Sequence, residues 1–219
     1  MPRVAVILSG SGVKDGSEIH EATAVLLALD RAGAEAVAYA PSGPQHDVVD
    51  HLTGRPAPGE SRAMLVEAAR IARGAIRPLA GADPAALDAV VLPGGFGAAK
   101  NLCSFAREGA NCRVNEELDG FIRAMHAAGK PIGAICIAPV IVARVLGRQT
   151  GVRLTIGDDP ATAAAIEAMG ARHVPAAASE IVVDERHKVV TTPAYMLAGR
   201  ISEVFAGVES LVRQLLSLC

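Results

Sequence analysis

One cysteine occupies a position from which it could act as a nucleophile. In the segment 131–139 (PIGAICIAP), a β-branched run ends at Cys136 and helix-compatible residues follow. A thiol on a sharp strand-to-helix turn, a nucleophile elbow, is presented at the edge of a sheet, and the adjacent helix N-terminus stabilises a thiolate. The competing interpretation is that Cys136 is a small buried hydrophobic residue, as most unpaired cysteines are.

Two adjacent glycines could serve such a nucleophile. Gly94 and Gly95 directly follow the apolar run 89–92 (AVVL) and Pro93. Without a Cβ, their backbone N–H groups can approach a ligand closely, which suits an oxyanion hole. An ordinary tight turn would use the same pair of glycines, so the pair alone does not decide between an oxyanion hole and a turn.

The glycine-rich loop after the first apolar run does not fit a dinucleotide site. Gly10 and Gly12 are followed by Asp15 where the dinucleotide pattern needs its third glycine, and no acidic residue ends the second strand at Ala40. No His, Asp and Glu residues are spaced as metal ligands either. We therefore expect neither a cofactor nor a metal.

Short β-branched runs alternate with helical periodicity along the whole chain. This pattern predicts an α/β fold with a doubly wound, mostly parallel sheet and helices on both faces. The predicted strands are 4–8, 36–40, a short one at 76, 89–92, 132–135, 153–156, 181–184 and 189–192, the last two forming a hairpin. The predicted helices are 18–31 with Ser17 as its N-cap, 61–73, 115–128, 138–146, 161–169 and 197–215. Ligands of such sheets bind at the carboxyl ends of strands, where Cys136 and the two glycines lie.

Composition excludes several classes of protein. The 219 residues are 51% hydrophobic and 3% aromatic, with a formal net charge of −2, which favours one domain over 1–219 and predicts neither a nucleic-acid nor a membrane partner. The longest uncharged stretch, 131–143, falls short of the ~20 residues of a membrane span. The apolar run 4–8 is too short for a signal peptide, so we expect a cytoplasmic protein. The four cysteines show no disulfide framework.

Longer motifs carry a resemblance to a known family. The chain contains the segments 91–95 (VLPGG) and 134–136 (AIC). It also contains three longer motifs, ILSGSGVKDGSEIHEA from Ile7, GGFGAAKNL from Gly94 and VTTPAYMLA from Val190. The resemblance that these motifs carry covers essentially the whole chain. They resemble the class I glutamine-amidotransferase-like superfamily, in the branch of the protease PfpI and the Parkinson-associated deglycase. The resemblance implies a flavodoxin-like fold with a nucleophile elbow.

The resemblance also implies roles for individual residues. Relatives pair the elbow cysteine with a carboxylic acid of the first helix, which corresponds here to Glu21, with Glu18 as the fallback. A protonated Glu21 would donate a hydrogen bond to the Cys136 thiolate and lower the pKa of the thiol. Without the resemblance, Glu21 would be interpreted as a solvent-facing acid of the first helical turn.

The implied activity is a glyoxalase that needs no cofactor and has a link to isoprenoid yield. The Cys136 thiolate would add to glyoxal, a small uncharged carbonyl compound, while backbone N–H groups at Gly95 and Ile137 hold the oxyanion. Glu21 would move a proton between the two carbons, and water would release glycolate. Relatives often form homodimers, so a homodimer is expected.

One departure from the family pattern concerns histidine. Relatives place a histidine near the end of the strand after the nucleophile, which corresponds to about Gly157, and none is present there. A Cys-His-Glu triad and glutaminase chemistry are therefore not supported. His20 lies at the appropriate end of the sheet and could contribute, whereas His126 and His187 are expected to be structural or solvated.

Further candidates and alternatives remain at this stage. Tyr195 could lean over the site, although packing in the core is the favoured interpretation, and Lys100 and Asn101 could contact substrate. Instead of an enzyme, the protein could be a redox sensor or binding protein whose exposed, low-pKa Cys136 oxidises with little turnover. It could also be a scaffold in which Cys136 is inert.

Overall fold

A seven-stranded β-sheet runs through the centre of the structure, a computed structural model that describes residues 1–219. The strands are β1 (Arg3–Ile7), β2 (Glu35–Ala40), β3 (Val49–Asp50), β4 (Arg55–Pro56), β5 (Ile76–Pro78), β6 (Ala89–Leu92), β7 (Ile132–Ile135), β8 (Arg153–Leu154), β9 (Arg172–His173), β10 (Val182–Asp184) and β11 (Val189–Thr192). The helices are α1 (Ile19–Arg31), α2 (Met64–Ile71), α3 (Phe96–Lys100), α4 (Phe105–Glu108), α5 (Glu116–Ala127), α6 (Pro139–Thr150), α7 (Pro160–Ala168) and α8 (Ile201–Ser217).

The main sheet is mostly parallel and doubly wound. Its strand order is β10-β11-β7-β6-β1-β2-β5, and only the β10–β11 pair is antiparallel. Strands β1, β6 and β7 are therefore neighbours, and the loops that follow them meet at one edge of the sheet. This α/β, flavodoxin-like architecture confirms the predicted fold class.

Helices cover both faces of the sheet and enclose two apolar layers. Alternate residues of β1 point to opposite faces, with Val4 and Val6 in a layer of 23 buried residues and Ala5 and Ile7 in a layer of 33. Helices α1 and α8 close the smaller layer, whereas α5, α6 and α7 close the larger one. Because both faces are buried, the parallel strands are nearly continuous hydrophobic runs, which made them recognisable in the sequence.

Several helix starts differ from the prediction, including those of α1 and α8. Helix α1 begins at Ile19, and its N-cap is Glu18, whose Oε2 accepts a hydrogen bond of 2.7 Å from the Glu21 amide. Ser17 is not the cap, because its hydroxyl instead accepts a hydrogen bond from the Ser9 amide across the loop. Helix α8 begins at Ile201 rather than at Leu197, which ends a separate 3₁₀ turn (Ala194–Met196).

Two short helices were not predicted. Helices α3 and α4 follow the glycine pair and have five and four residues, too few to show an apolar period. The other helices and the strands of the main sheet lie where they were expected, with ends shifted by a few residues. Strands β6, β7 and β11 match their predicted bounds.

Candidate active site

Cys136 lies on a strained turn between β7 and α6. Its φ is +61°, a left-handed conformation that is uncommon for a residue with a side chain, and its amide donates a 2.9 Å hydrogen bond to the Thr192 carbonyl at the end of β11. Helix α6 starts three residues later at Pro139, which suits the first turn because it lacks an N–H group. This is the geometry of a nucleophile elbow, as the sequence predicted.

Glu21 is completely buried beside the elbow. Each carboxyl oxygen accepts one backbone hydrogen bond: Oε2 from the Gly94 amide at 2.9 Å and Oε1 from the Tyr195 amide at 3.3 Å. The carboxyl group also neighbours Cys136, because Glu21 Oε2 and Cys136 Cβ lie on the same side of Gly94 and would both contact a Cβ built there. Glu21 is therefore not a solvent-facing acid, and the structure places it where the family resemblance implied.

Burial changes the protonation state of Glu21. Loss of hydration, together with the negative charge of Glu18, raises its pKa from 4.5 to about 8, although its hydrogen bonds with Tyr195, Cys136 and Gly94 oppose the shift. At neutral pH the carboxyl group is mostly protonated. It can then donate its proton to a neighbouring atom, which an ionised carboxylate cannot do.

The pKa of Cys136 is also raised, which contradicts the low thiol pKa expected from the sequence. Burial of a residue that is only 7% exposed disfavours the thiolate, and the negative charge of an ionised Glu21 disfavours it further. The backbone N–H groups of Gly95 and Ile137 favour the thiolate but do not outweigh these effects. The resting pair at neutral pH is consequently a thiol beside a carboxylic acid.

We predict that the buried Glu21 makes the stability of the protein depend on pH. Its proton is held more tightly in the folded protein than in the unfolded chain, so its stabilising contribution is complete below pH 4.5 and is lost as the pH rises to about 8. The loss is up to about 5 kcal/mol. Urea unfolding at pH 5 and pH 8.5 should show this decrease in wild-type protein and not in Glu21→Gln. Parallel pH dependence in the two proteins would contradict the prediction.

The two glycines have different roles. The Gly94 N–H bonds to Glu21 and is not available to an oxyanion, which corrects its predicted role. Gly94 is needed for close approach, because a Cβ there would lie 2.5 Å from Cys136 Cβ and 2.7 Å from Glu21 Oε2. The Gly95 N–H, like that of Ile137, faces the thiol. These two groups remain the candidate oxyanion donors.

Tyr195 lies at the site and also packs against the smaller apolar layer, without being buried in it. It is partly exposed, and its hydroxyl shares a 2.7 Å hydrogen bond with His20 Nδ1. The preceding Ala194 has a φ of +45°, and this turn directs the Tyr195 amide towards Glu21. The same strained segment therefore positions both the Tyr195 ring at the site and the Tyr195 N–H group on the Glu21 carboxyl.

Asn101 and Lys100 do not line the site. The Asn101 side-chain amide donates to the carbonyls of Ser9 and Asp15, at 2.8 Å each, and thereby holds the glycine-rich loop in place. Lys100 forms a 2.8 Å ion pair with Asp47. The polar atoms of both residues are bonded to protein partners and neither residue lines the chamber, so a substrate contact of either one stays a prediction.

A mostly apolar chamber of about 450 Å³ opens above Cys136. The loop before α1, the elbow, helices α3, α4 and α7, and the 3₁₀ turn converge around it. Its lining residues are Val13, Glu18, Gly95, Phe96, Ala99, Phe105, Ala106, Cys136, Ile137, Thr162, Tyr195 and Met196. The chamber has no lysine, arginine or histidine in its wall, and Glu18 supplies a carboxylate.

Comparisons of the sequence and of the fold identify the family of the chain. A model of the DJ-1/PfpI family matches residues 3–196. The chain belongs to the DJ-1/PfpI family. It is 48% identical over 225 residues to the human mitochondrial glutamine amidotransferase-like class 1 domain-containing protein 3, covering 99% of this chain and 83% of that protein. It is 46% identical over 225 residues to the rat mitochondrial ES1 protein homolog, covering 99% and 84%.

A crystal structure also resembles this DJ-1/PfpI chain closely. The isoprenoid biosynthesis protein with an amidotransferase-like domain from Ehrlichia chaffeensis superposes with a TM-score of 0.93 at 35% identity, covering 100% of this chain and 99% of that one. The mitochondrial location named for the human and rat relatives belongs to those proteins, and the cytoplasmic location expected here stays a prediction. None of the helices combines the length and apolarity required to cross a bilayer.

A side chain would be strained at the position where DJ-1/PfpI relatives were expected to carry a histidine. Gly157 has a φ of +101°, and a Cβ there would lie 2.8 Å from Leu197 Cγ. His20 contacts Tyr195, while His187 bonds to Asp184 at 3.0 Å on the hairpin and lies near His126. No group of three or more His, Cys, Asp or Glu side chains is arranged to hold a metal ion.

Sequence reasoning missed most of the apolar wall of this DJ-1/PfpI site. Phe96 and Met196 could have been suspected, because they adjoin Gly95 and Tyr195 in the quoted motifs. Phe105, Ala106 and Thr162 come from segments without any motif, so their contribution depends on how distant loops meet.

Proposed function

We propose that this DJ-1/PfpI protein is a cofactor-independent glyoxalase, similar to the bacterial ElbB proteins, that converts glyoxal and other 2-oxoaldehydes to hydroxy acids through a Cys136 thiohemiacetal. The observation that carries the proposal is the buried pair of a Cys136 thiol and a protonated Glu21 below a chamber without cationic residues. Such a site accepts an uncharged carbonyl compound and can both add a thiol to it and move its protons.

The first step is addition of the thiol to one aldehyde carbon. The Cys136 sulfur bonds to the carbon, Glu21 donates its proton to the carbonyl oxygen, and the S–H proton passes to the other oxygen of Glu21. The N–H groups of Gly95 and Ile137 stabilise negative charge that develops on the oxygen. Because the carboxylic acid is regenerated, the step does not require a preformed thiolate.

The second stage moves hydrogen between the two carbons through an enediol. Glu21 gives a proton to the remaining carbonyl oxygen and takes the C–H proton of the thiohemiacetal. Glu21 then removes the proton of the hydroxyl group on the first carbon and protonates the second carbon. The product is a thioester of Cys136 with the hydroxy acid. Water cleaves the thioester, which releases glycolate when glyoxal is the substrate and restores the thiol.

Two other functions fit the site less well. Glutamine hydrolysis would require recognition of the substrate carboxylate, and the chamber offers Glu18 rather than a cation. The redox-sensor alternative assumed an exposed, low-pKa thiol, whereas Cys136 is 7% exposed and its pKa is raised. The proposed homodimer and the proposed link to isoprenoid biosynthesis rest on the family resemblance; the Ehrlichia protein is described as an isoprenoid biosynthesis protein.

We predict that purified protein without added cofactor converts glyoxal to glycolate. In D₂O, part of the glycolate should carry one deuterium on its hydroxymethyl carbon, because Glu21 exchanges its proton with solvent before it protonates that carbon. Proton and deuterium NMR of the product measures both. Absence of glycolate would contradict the glyoxalase. Glycolate without deuterium would instead indicate a direct hydride shift and would contradict the enediol step.

A further inference from the structure

We propose that the preferred substrate is a 2-oxoaldehyde bearing an apolar group, such as an aryl or branched alkyl group, rather than glyoxal itself. This inference rests on the proposed glyoxalase function and names the substrate class of the same site. It follows from the size, the polarity and the charge of the chamber above Cys136.

The chamber is too large for glyoxal. Its volume of about 450 Å³ lies within the range of about 300–1,000 Å³ that is typical of sites enclosing much larger ligands. Glyoxal is only two carbons long and would lie at Cys136, on the floor, leaving most of the chamber unfilled. A substituent on the second carbonyl carbon would extend from the floor into this space.

The wall of the chamber is apolar away from the reacting atoms. Phe96, Phe105 and Met196 line it, and Val13 and Phe96 are 38% and 54% exposed to solvent. The polar lining groups are Glu18, Thr162 and Tyr195. An apolar substituent would remove the exposed aromatic and aliphatic surface from water, which favours binding by about fourfold for each buried methylene group.

Charge restricts the substituent further. Glu18 is nearly buried in the lining, and its negative charge already raises the pKa values of Glu21 and Tyr195. Lys100 lies with its Nζ 5.7 Å from the centroid of the Phe96 ring, but it is paired with Asp47 and does not itself line the chamber. A substituent carrying a carboxylate or phosphate would therefore be repelled, so the chamber selects an uncharged group.

The test compares initial rates with glyoxal, methylglyoxal and phenylglyoxal. We expect kcat/KM to rise along this series and to be on the order of tenfold or more higher for phenylglyoxal than for glyoxal. Equal or lower kcat/KM for phenylglyoxal would overturn the inference while leaving the glyoxalase intact. Failure to turn over any of the three compounds would contradict the proposed function.

In that event, a second experiment still tests the apolar chamber. Protection of Cys136 from iodoacetamide by acetophenone, and not by acetone, would support the apolar chamber. Equal protection by the two ketones would refute it.

A matched pair of variants locates the effect in the chamber. Ala106→Phe fills the chamber from an exposed position on α4, so it should lower the ratio of phenylglyoxal to glyoxal kcat/KM by about tenfold. Ala168→Phe makes the same change at an exposed alanine of α7 outside the lining and should leave the ratio unchanged. An unchanged ratio in Ala106→Phe, or an equal change in both variants, would contradict the assignment.

Discussion

Replacement of Cys136 by serine is expected to lower kcat/KM for glyoxal by roughly a thousandfold. A serine hydroxyl is a much weaker nucleophile than a thiol, and its conjugate base is harder to form in the same buried position. The side chains are nearly equal in size, so the elbow with its φ of +61° should be retained. Steady-state rates and circular dichroism of both proteins provide the measurement.

Cys219→Ser is the matched control, because Cys219 is a free, exposed cysteine that does not line the chamber. It should retain wild-type rates. Retained activity in Cys136→Ser would exclude covalent catalysis at the elbow. Equal losses in the two variants would indicate a nonspecific effect of removing thiols.

Glu21→Gln is expected to abolish turnover and yet to make Cys136 more reactive towards iodoacetamide at pH 9. The amide cannot exchange protons between its two ends as a carboxylic acid does, so both the addition and the enediol step lose their proton relay. In wild-type protein at pH 9, Glu21 is ionised and its charge opposes the thiolate. Glutamine removes this charge, which lowers the pKa of the thiol and should raise the labelling rate several-fold.

Labelling of Cys136, followed by peptide mapping, and glyoxal kinetics measure the two effects separately. Glu116→Gln is a suitable control, since Glu116 is an exposed acid in the first turn of α5. It should change neither quantity. Slower labelling in Glu21→Gln would contradict the charge interaction, and preserved turnover would contradict the proton relay.

The fold was accessible from the sequence because its signals are local. Apolar runs such as those of β6 and β7 are continuous, since both faces of a parallel sheet are buried, and their ends at Gly94 and Cys136 mark the edge where ligands bind. The elbow followed from the same reasoning, because a strand, one cysteine and a helix are adjacent in the chain.

Only the tertiary structure decided the chemistry of Glu21 and Cys136. Whether a first-turn acid faces solvent or the interior depends on the loops at Gly94 and Tyr195, which are distant in sequence and donate to its two oxygens. The pKa values follow from that burial. The sequence predicted a lowered thiol pKa from the helix N-terminus, but desolvation, which depends on all surrounding segments, has the larger effect.

The substrate chamber likewise has no local signature. Its wall combines Val13, Phe96, Phe105, Thr162 and Met196 from five separate segments, two of which are helices too short to predict. The sequence by itself determined the α/β architecture, the elbow and the family resemblance, because neighbouring residues encode them. The protonated acid, the changed role of Gly94 and the size of the chamber were decided by contacts between distant segments, which exist only once the chain has folded.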